Sequence, residues 1–213
     1  FTDRGIYRPG DTVHVKAIFR QEGNPGTVTP TGVPVEIKVE SPEGDETRRW
    51  GPPFVRYADG GEDAAYFHSC NRGKRSVVAD FRTEEGRDRV RTLCAGADVV
   101  IENFKRGDLA RHGLDAGTLR AAHPRLVWCS ITGFGQTGPS ADLPGYDFIV
   151  QGMGGIMDLT GEPDGPPQKP GVAYADLFTG LYSVITIQAA LAARAGSCEV
   201  AFTNMSLYDT QVA

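Results

Sequence analysis

Cysteine is scarce in this chain of 213 residues. The four that occur, Cys70, Cys94, Cys129 and Cys198, are too far apart for a CxxC zinc or thioredoxin pattern. Cys94 and Cys129 sit among apolar neighbours, so buried free thiols and a reducing compartment are expected. Histidine is equally thin. His14, His68, His112 and His123 show no HxxxH spacing, and no metal site is expected from them. No apolar run approaches the ~20 residues of a membrane span, and mean hydropathy is -0.28. Positive charge is in deficit: 22 Lys and Arg stand against 27 Asp and Glu, a net charge of -5. That argues against a general binder of nucleic acid or anionic membrane, while leaving room for a local basic pocket. The chain begins at Phe1 without a positive-then-apolar leader and stops at Ala213 in an uncapped pattern, so a fragment is expected.

What is present is ordinary globular material. Hydrophobic residues make up 40% and charged residues 23%, enough for one large domain or two small ones. Gly and Pro, 27 and 14 residues, imply many loops.

Two sequence styles follow one another. Val13, Val15, Ala17 and Phe19 alternate with His14, Lys16, Ile18 and Arg20, and Val35, Ile37 and Val39 alternate with Glu36, Lys38 and Glu40. Period two predicts two strands and no helix before residue 40. From about residue 84 the pattern turns α/β. Helices are expected over 84–97, 114–123 (N-capped by Asp115), 148–156, 176–194 and 206–213, and strands over 98–101, 126–131 and 198–202. The run Leu126-Val127-Trp128-Cys129-Ser130-Ile131 has the near-continuous apolar character of a parallel strand covered on both faces. The fold class read from this is α/β with a parallel sheet, preceded by a short β segment.

Several motifs carry chemistry. Gly133-Phe134-Gly135-Gln136-Thr137-Gly138 spells G-x-G-x-x-G after a strand, but Pro139 follows and no helix can open there, so an active-site loop or a plain surface loop is expected rather than a dinucleotide site. Asp176 precedes a long apolar helix. It reads either as a structural N-cap or as a carboxylate nucleophile at the mouth of a pocket. Asn71-Arg72-Gly73-Lys74-Arg75 and Lys105-Arg106 with Arg111 are basic clusters, either solvated surface or a site for a phosphorylated ligand. Asn103-Phe104 follows a strand end, where open α/β sheets place ligands.

Residues 37–213 resemble the family III CoA-transferases, of the formyl-CoA and carnitine-CoA transferase type. The matching stretches are Ile37-Lys38-Val39-Glu40, Asp45-Glu46-Thr47-Arg48-Arg49-Trp50-Gly51-Pro52-Pro53, Asn71-Arg72-Gly73-Lys74-Arg75-Ser76, Ala97-Asp98-Val99-Val100-Ile101-Glu102-Asn103-Phe104, Ser130-Ile131-Thr132-Gly133-Phe134-Gly135-Gln136-Thr137-Gly138-Pro139, Pro144-Gly145-Tyr146-Asp147 and Ala175-Asp176-Leu177. Phe1-Thr2-Asp3-Arg4-Gly5-Ile6-Tyr7-Arg8-Pro9-Gly10-Asp11-Thr12-Val13 is similar instead to an early β-sandwich domain of bacterial alpha-macroglobulins, which are extracytoplasmic protease traps. The chain therefore reads as a chimera: an incomplete macroglobulin-like segment over 1–36 and a truncated CoA-transferase domain over 37–213, with Val35–Gly44 fitting both.

The transferase resemblance implies CoA exchange between carboxylic acids through aspartyl anhydride and thioester intermediates. Asp176 falls on the nucleophile, and the CoA contacts fall on Ala79, Arg82, Asn103, Phe104, Arg111 and Tyr146. It implies no permanent cofactor and no metal, an acyl-CoA and a carboxylic acid as partners, no nucleic acid or membrane partner, a homodimer, and a cytoplasmic location. Related racemases carry His at the position of Tyr146. A phenol is a poor base at neutral pH, which favours transfer over racemisation. An alpha-macroglobulin-like binding module is the alternative that residues 1–36 imply. The segment Ala195–Asn204 departs from the family's glycine-rich pattern.

Overall fold

The computed structural model describes residues 36–194, 196 and 202–213. The strand expected over 13–20 lies outside them. The described fold opens with β1 (Ile37–Glu40), a hairpin of β2 (Phe54–Arg56) and β3 (Glu62–Ala64), helix α1 (Ala65–Asn71) and β4 (Arg75–Val78). β4 returns parallel to β1, with Ile37 opposite Arg75 and Glu40 opposite Val78.

Period two assigns Lys38 and Glu40 to a polar face of β1. Both are instead buried, at 2% and 3% exposure. The reason is a closed charge cluster. Lys38 pairs with Asp45 and stands 3.9 Å from Glu40. Glu40 takes Arg48 at 3.1 Å and the Ser76 hydroxyl at 2.8 Å. Arg48 also grips Asp63 at 2.6 Å and lies 3.9 Å over the Phe67 ring. Charge survives burial only when paired in this way.

α2 (Glu84–Ala95) follows, its Gly86 N–H capped by the Thr83 hydroxyl at 3.0 Å. Next come β5 (Val99–Glu102), α3 (Ala116–Ala122) with Asp115 as its N-cap, and β6 (Val127–Thr132). The helix expected over 148–156 is two, α4 (Asp147–Met153) and α5 (Ile156–Leu159), separated where Gly155 takes a φ of 84°. α6 (Tyr174–Arg194), β7 (Phe202–Ser206) and α7 (Leu207–Val212) complete the chain. The strand expected over 198–202 meets the described residues only at Phe202, which lies in β7. Residues 198–201 lie outside the described set.

β5, β6 and β7 form a parallel sheet in that order, Val99 opposite Val127 and Trp128 opposite Phe202. Val100 and Trp128 share a core with Val90, Cys94 and Leu119 on one face. Val99, Ile101, Val127, Cys129 and Ile131 share another with Ile187 and Ala190 of α6. Double coverage accounts for the continuous apolar run. Burial pushes the Cys94 thiol up to about 12.

α6 corrects one expectation. By length and composition it is apolar enough to cross a bilayer. Its residues divide between two faces: Ala175, Thr179, Ser183, Ile187 and Ala190, spaced three or four residues apart, are buried, with Ala175, Ile187 and Ala190 in the core of the sheet, whereas Leu181, Val184 and Ile185 are exposed.

Candidate active site

The chain leaves the carboxyl ends of β4, β5 and β6 through loops, the position where α/β sheets hold ligands. Phe81, in the loop after β4, has its ring 5.9 Å from Phe104 and 6.1 Å from His112. It thereby packs the segment that carries Ala79 and Arg82 against the segments that carry Asn103-Phe104 and Arg111. Ala79 is in the core, its N–H donating to the Glu40 carbonyl at 3.0 Å. Asn103 is buried and Phe104 partly so. Arg82 and Arg111 are exposed, but each has a carboxylate. Arg82 sits 2.8 Å from Asp80 and 3.9 Å from Glu43, and Arg111 is 3.1 Å from Asp108. Hydrogen bonds from Arg82 hold Asp80 below the usual carboxylate range. Lys74 pairs with Glu36 at 3.4 Å and Arg106 with Asp142 at 3.0 Å. An incoming phosphate therefore exchanges with existing partners, at small cost where the pairs are exposed.

The G-x-G-x-x-G loop opens no helix; the chain runs on to α4 at Asp147. Its ends are closed by backbone contact. A Cβ on Gly133 would lie 2.4 Å from the Gly145 Cα. Gly135 and Gly138 take φ of 81° and 92°, which side-chain-bearing residues rarely adopt. The Tyr208 N–H donates to the Gly133 carbonyl at 3.0 Å.

Gly145 delivers the chain to Tyr146, the residue before α4, which is 45% exposed. Next to it, Asp147 reaches across to α6. Its Oδ1 accepts from the backbone N–H of Ala175 at 2.8 Å and of Asp176 at 3.4 Å, and its Oδ2 from Gln151 Nε2 at 2.6 Å. Asp176 lies in the first turn of α6, half-buried, two residues past the helix start rather than at it. The carboxylate capping these two N–H groups belongs to Asp147, for which no role is expected from sequence. Its signal was Gln151, one helical turn on.

A cavity of about 150 Å³ opens beside the sheet, lined by Glu102, Phe104, Lys105, Trp128, Ser130 and Gln136 among others. Neither Asp176 nor Tyr146 lines it. Burial pushes the Glu102 carboxyl up to about 7, opposed by hydrogen bonds from Ser130, the Phe104 N–H and Trp128. Glu102 was also missed as a site residue, although an acid closing the apolar run Val99-Val100-Ile101 marks it.

CoA-transferase family III matches residues 35–213, and the chain belongs to that family. A second match, to the MG2 domain, spans residues 1–64. Similar curated proteins include the succinate–glutarate CoA-transferase of Agrobacterium fabrum, 62% identical over 179 residues, covering 83% of this chain and 45% of that protein. The succinyl-CoA:mesaconate CoA-transferase of Haloarcula hispanica is 42% identical over 182 residues, with coverage of 83% and 45%. Among solved structures, a CaiB/BaiF family protein from Brucella suis superposes with a TM-score of 0.80 at 65% identity, covering 83% of this chain and 46% of its own. The chain thus spans a little under half the length of the relatives it matches.

Proposed function

We propose that residues 37–213 carry the nucleophile-bearing part of a CoA-transferase that exchanges CoA between small carboxylic acids, dicarboxylates such as succinate and glutarate being the favoured class. The observation that carries this is the 62% identity to a succinate–glutarate CoA-transferase through the stretch containing Asp176. The role of Asp176 gains support from its place in the first turn of α6, where the helix dipole favours a carboxylate.

In the proposed chemistry an Asp176 oxygen attacks the thioester carbonyl. The C–S bond breaks, CoA leaves as thiolate, and a mixed anhydride remains. The thiolate then attacks the aspartyl carbonyl, releasing the first carboxylate and leaving an enzyme–CoA thioester. The acceptor carboxylate attacks that thioester and expels the thiolate, which takes the new acyl group and restores Asp176. Each step replaces one difficult transfer by an easier one. Loop N–H groups of the 133–138 segment would stabilise the oxyanions, and Ala79, Arg82, Asn103, Phe104, Arg111 and Tyr146 would hold CoA.

A second copy of the chain is the proposed protein partner. The exposed apolar side chains of Phe148, Leu181 and Ile185 support a covered face there. The free buried thiols of Cys94 and Cys129 support a reducing, cytoplasmic setting. The parallel pairing of β1 with β4 supports a domain beginning near residue 37, and the MG2 match supports a chimeric origin for what precedes it.

The test is incubation with succinyl-CoA followed by intact-mass and peptide mass spectrometry. A CoA or succinyl adduct on Asp176, discharged by hydroxylamine and missing from Asp176→Asn, is the expected result. An adduct of equal yield on Asp176→Asn, checked for deamidation, would overturn the nucleophile assignment.

A further inference from the structure

Two loops that the proposed function requires, the Asn103–Phe104 turn and the 133–138 loop, leave neighbouring strands and share one side chain. Glu102 is 5% exposed. Its Oε2 accepts from the Phe104 N–H at 2.9 Å. Its Oε1 accepts from the Ser130 hydroxyl, opposite it on β6. The Ser130 oxygen in turn accepts from Gln136 Nε2 at 2.9 Å. Gln136 sits inside the glycine loop, between the two positive-φ glycines. The chain Phe104–Glu102–Ser130–Gln136 therefore crosses from one loop to the other without a break, along the wall of the cavity.

A carboxyl buried at a strand end has cheaper uses than this if its purpose is only to cap one turn. A solvent-facing Asp or Asn would satisfy the Phe104 N–H at lower desolvation cost. Burying the group is repaid only if it holds more than one element. We propose that Glu102 is a positioning residue that locks the Asn103–Phe104 turn to the 133–138 loop, so that a ligand ordering either loop orders the other. This rests on the CoA reading for the identity of the ligand, but the linkage itself does not. Reciprocity follows from thermodynamics: whatever Gln136 does for the turn, the turn must do for Gln136.

The experiment is amide hydrogen exchange by NMR on the full chain, comparing wild type with Glu102→Ala, Glu102→Gln and Gln136→Ala, each with and without CoA. The informative variant is Gln136→Ala, because Gln136 is partly exposed in a loop and its side-chain amide donates to Ser130, one step removed from the turn. We expect it to speed exchange of the Phe104 amide at least about fivefold. Glu102→Ala should disturb the Gln136 side-chain amide resonances, and Glu102→Gln, which retains an acceptor, should restore them in part. Unchanged Phe104 protection in Gln136→Ala would overturn the proposal. So would a Glu102→Ala effect confined to residues 103–104. Failure of wild type to bind CoA would count against the CoA reading alone, since the ligand-free spectra decide the linkage.

Discussion

The backbone nitrogen of Asp176 lies 3.4 Å from the carboxylate oxygen of Asp147, which holds the Ala175 nitrogen at 2.8 Å in the same grip. Two acids thus meet at one helix start with separate tasks. Asp147 closes the free N–H groups of α6 from a neighbouring helix. The carboxylate of Asp176 is not the one these groups require.

That division predicts different outcomes for the two residues. Asp147→Ala should lower stability by about 1 kcal/mol, the usual loss for a capping side chain, read as a shift of the urea midpoint at unchanged slope. Asp147→Asn retains an acceptor oxygen and should lose only part of that.

Glu102 should make stability depend on pH. Its folded pKa of about 7 exceeds the ordinary 4.5, so between those values the folded chain binds more protons than the unfolded one. Its contribution therefore declines as pH rises from about 4.5 and levels off above about 7, a total on the order of 3 kcal/mol. Lys105, Arg106 and Asp115 line the same cavity, with Arg106 held by Asp142 and Asp115 by Thr118. Denaturation of wild type and Glu102→Gln at pH 5, 6, 7 and 8 should show the difference between them following this curve. Parallel profiles would rule out the shift.

The glycine loop supplies a matched pair of substitutions. Gly133→Ala sets a methyl group 2.4 Å from the Gly145 backbone and should destabilise by roughly 1–3 kcal/mol as the two loop segments part. Gly138→Ala meets open space but must hold a φ of 92°, a strain of roughly 1–2 kcal/mol. Thermal melts of the two variants compare a clash with a backbone penalty in one loop.

The parallel sheet was legible because β5 and β6 are buried on both faces, and such strands announce themselves as unbroken apolar runs. Asp115 was legible as a cap because capping is local in sequence. Asp147 was not legible as the cap of α6, since the N–H groups it closes lie 28 and 29 residues away and only Gln151 is near it in sequence. Lys38 and Glu40 misled for the same reason. Alternation assigns every charge to solvent, and only the distant Asp63 and Ser76, together with Asp45 and Arg48, make their burial tolerable. The hairpin of β2 and β3 has three-residue strands, too short for any periodicity to register.

The buried cluster around Lys38 and Glu40 also bears on how the chain can be divided. The MG2 match ends at residue 64, yet Glu40 bonds Ser76, Arg48 lies on Phe67 and β1 pairs with β4, all beyond that point. An excision at 64 would leave the ion pairs among Lys38, Glu40, Asp45, Arg48 and Asp63 in place but strip the Ser76 hydroxyl from Glu40, the Phe67 ring from Lys38 and Arg48, and the β4 neighbour from β1, leaving a charge cluster built for burial uncovered. Residues 37–64 are therefore not a detachable module: whatever their ancestry, they are wired into the piece that follows and should be inherited, expressed and lost with it.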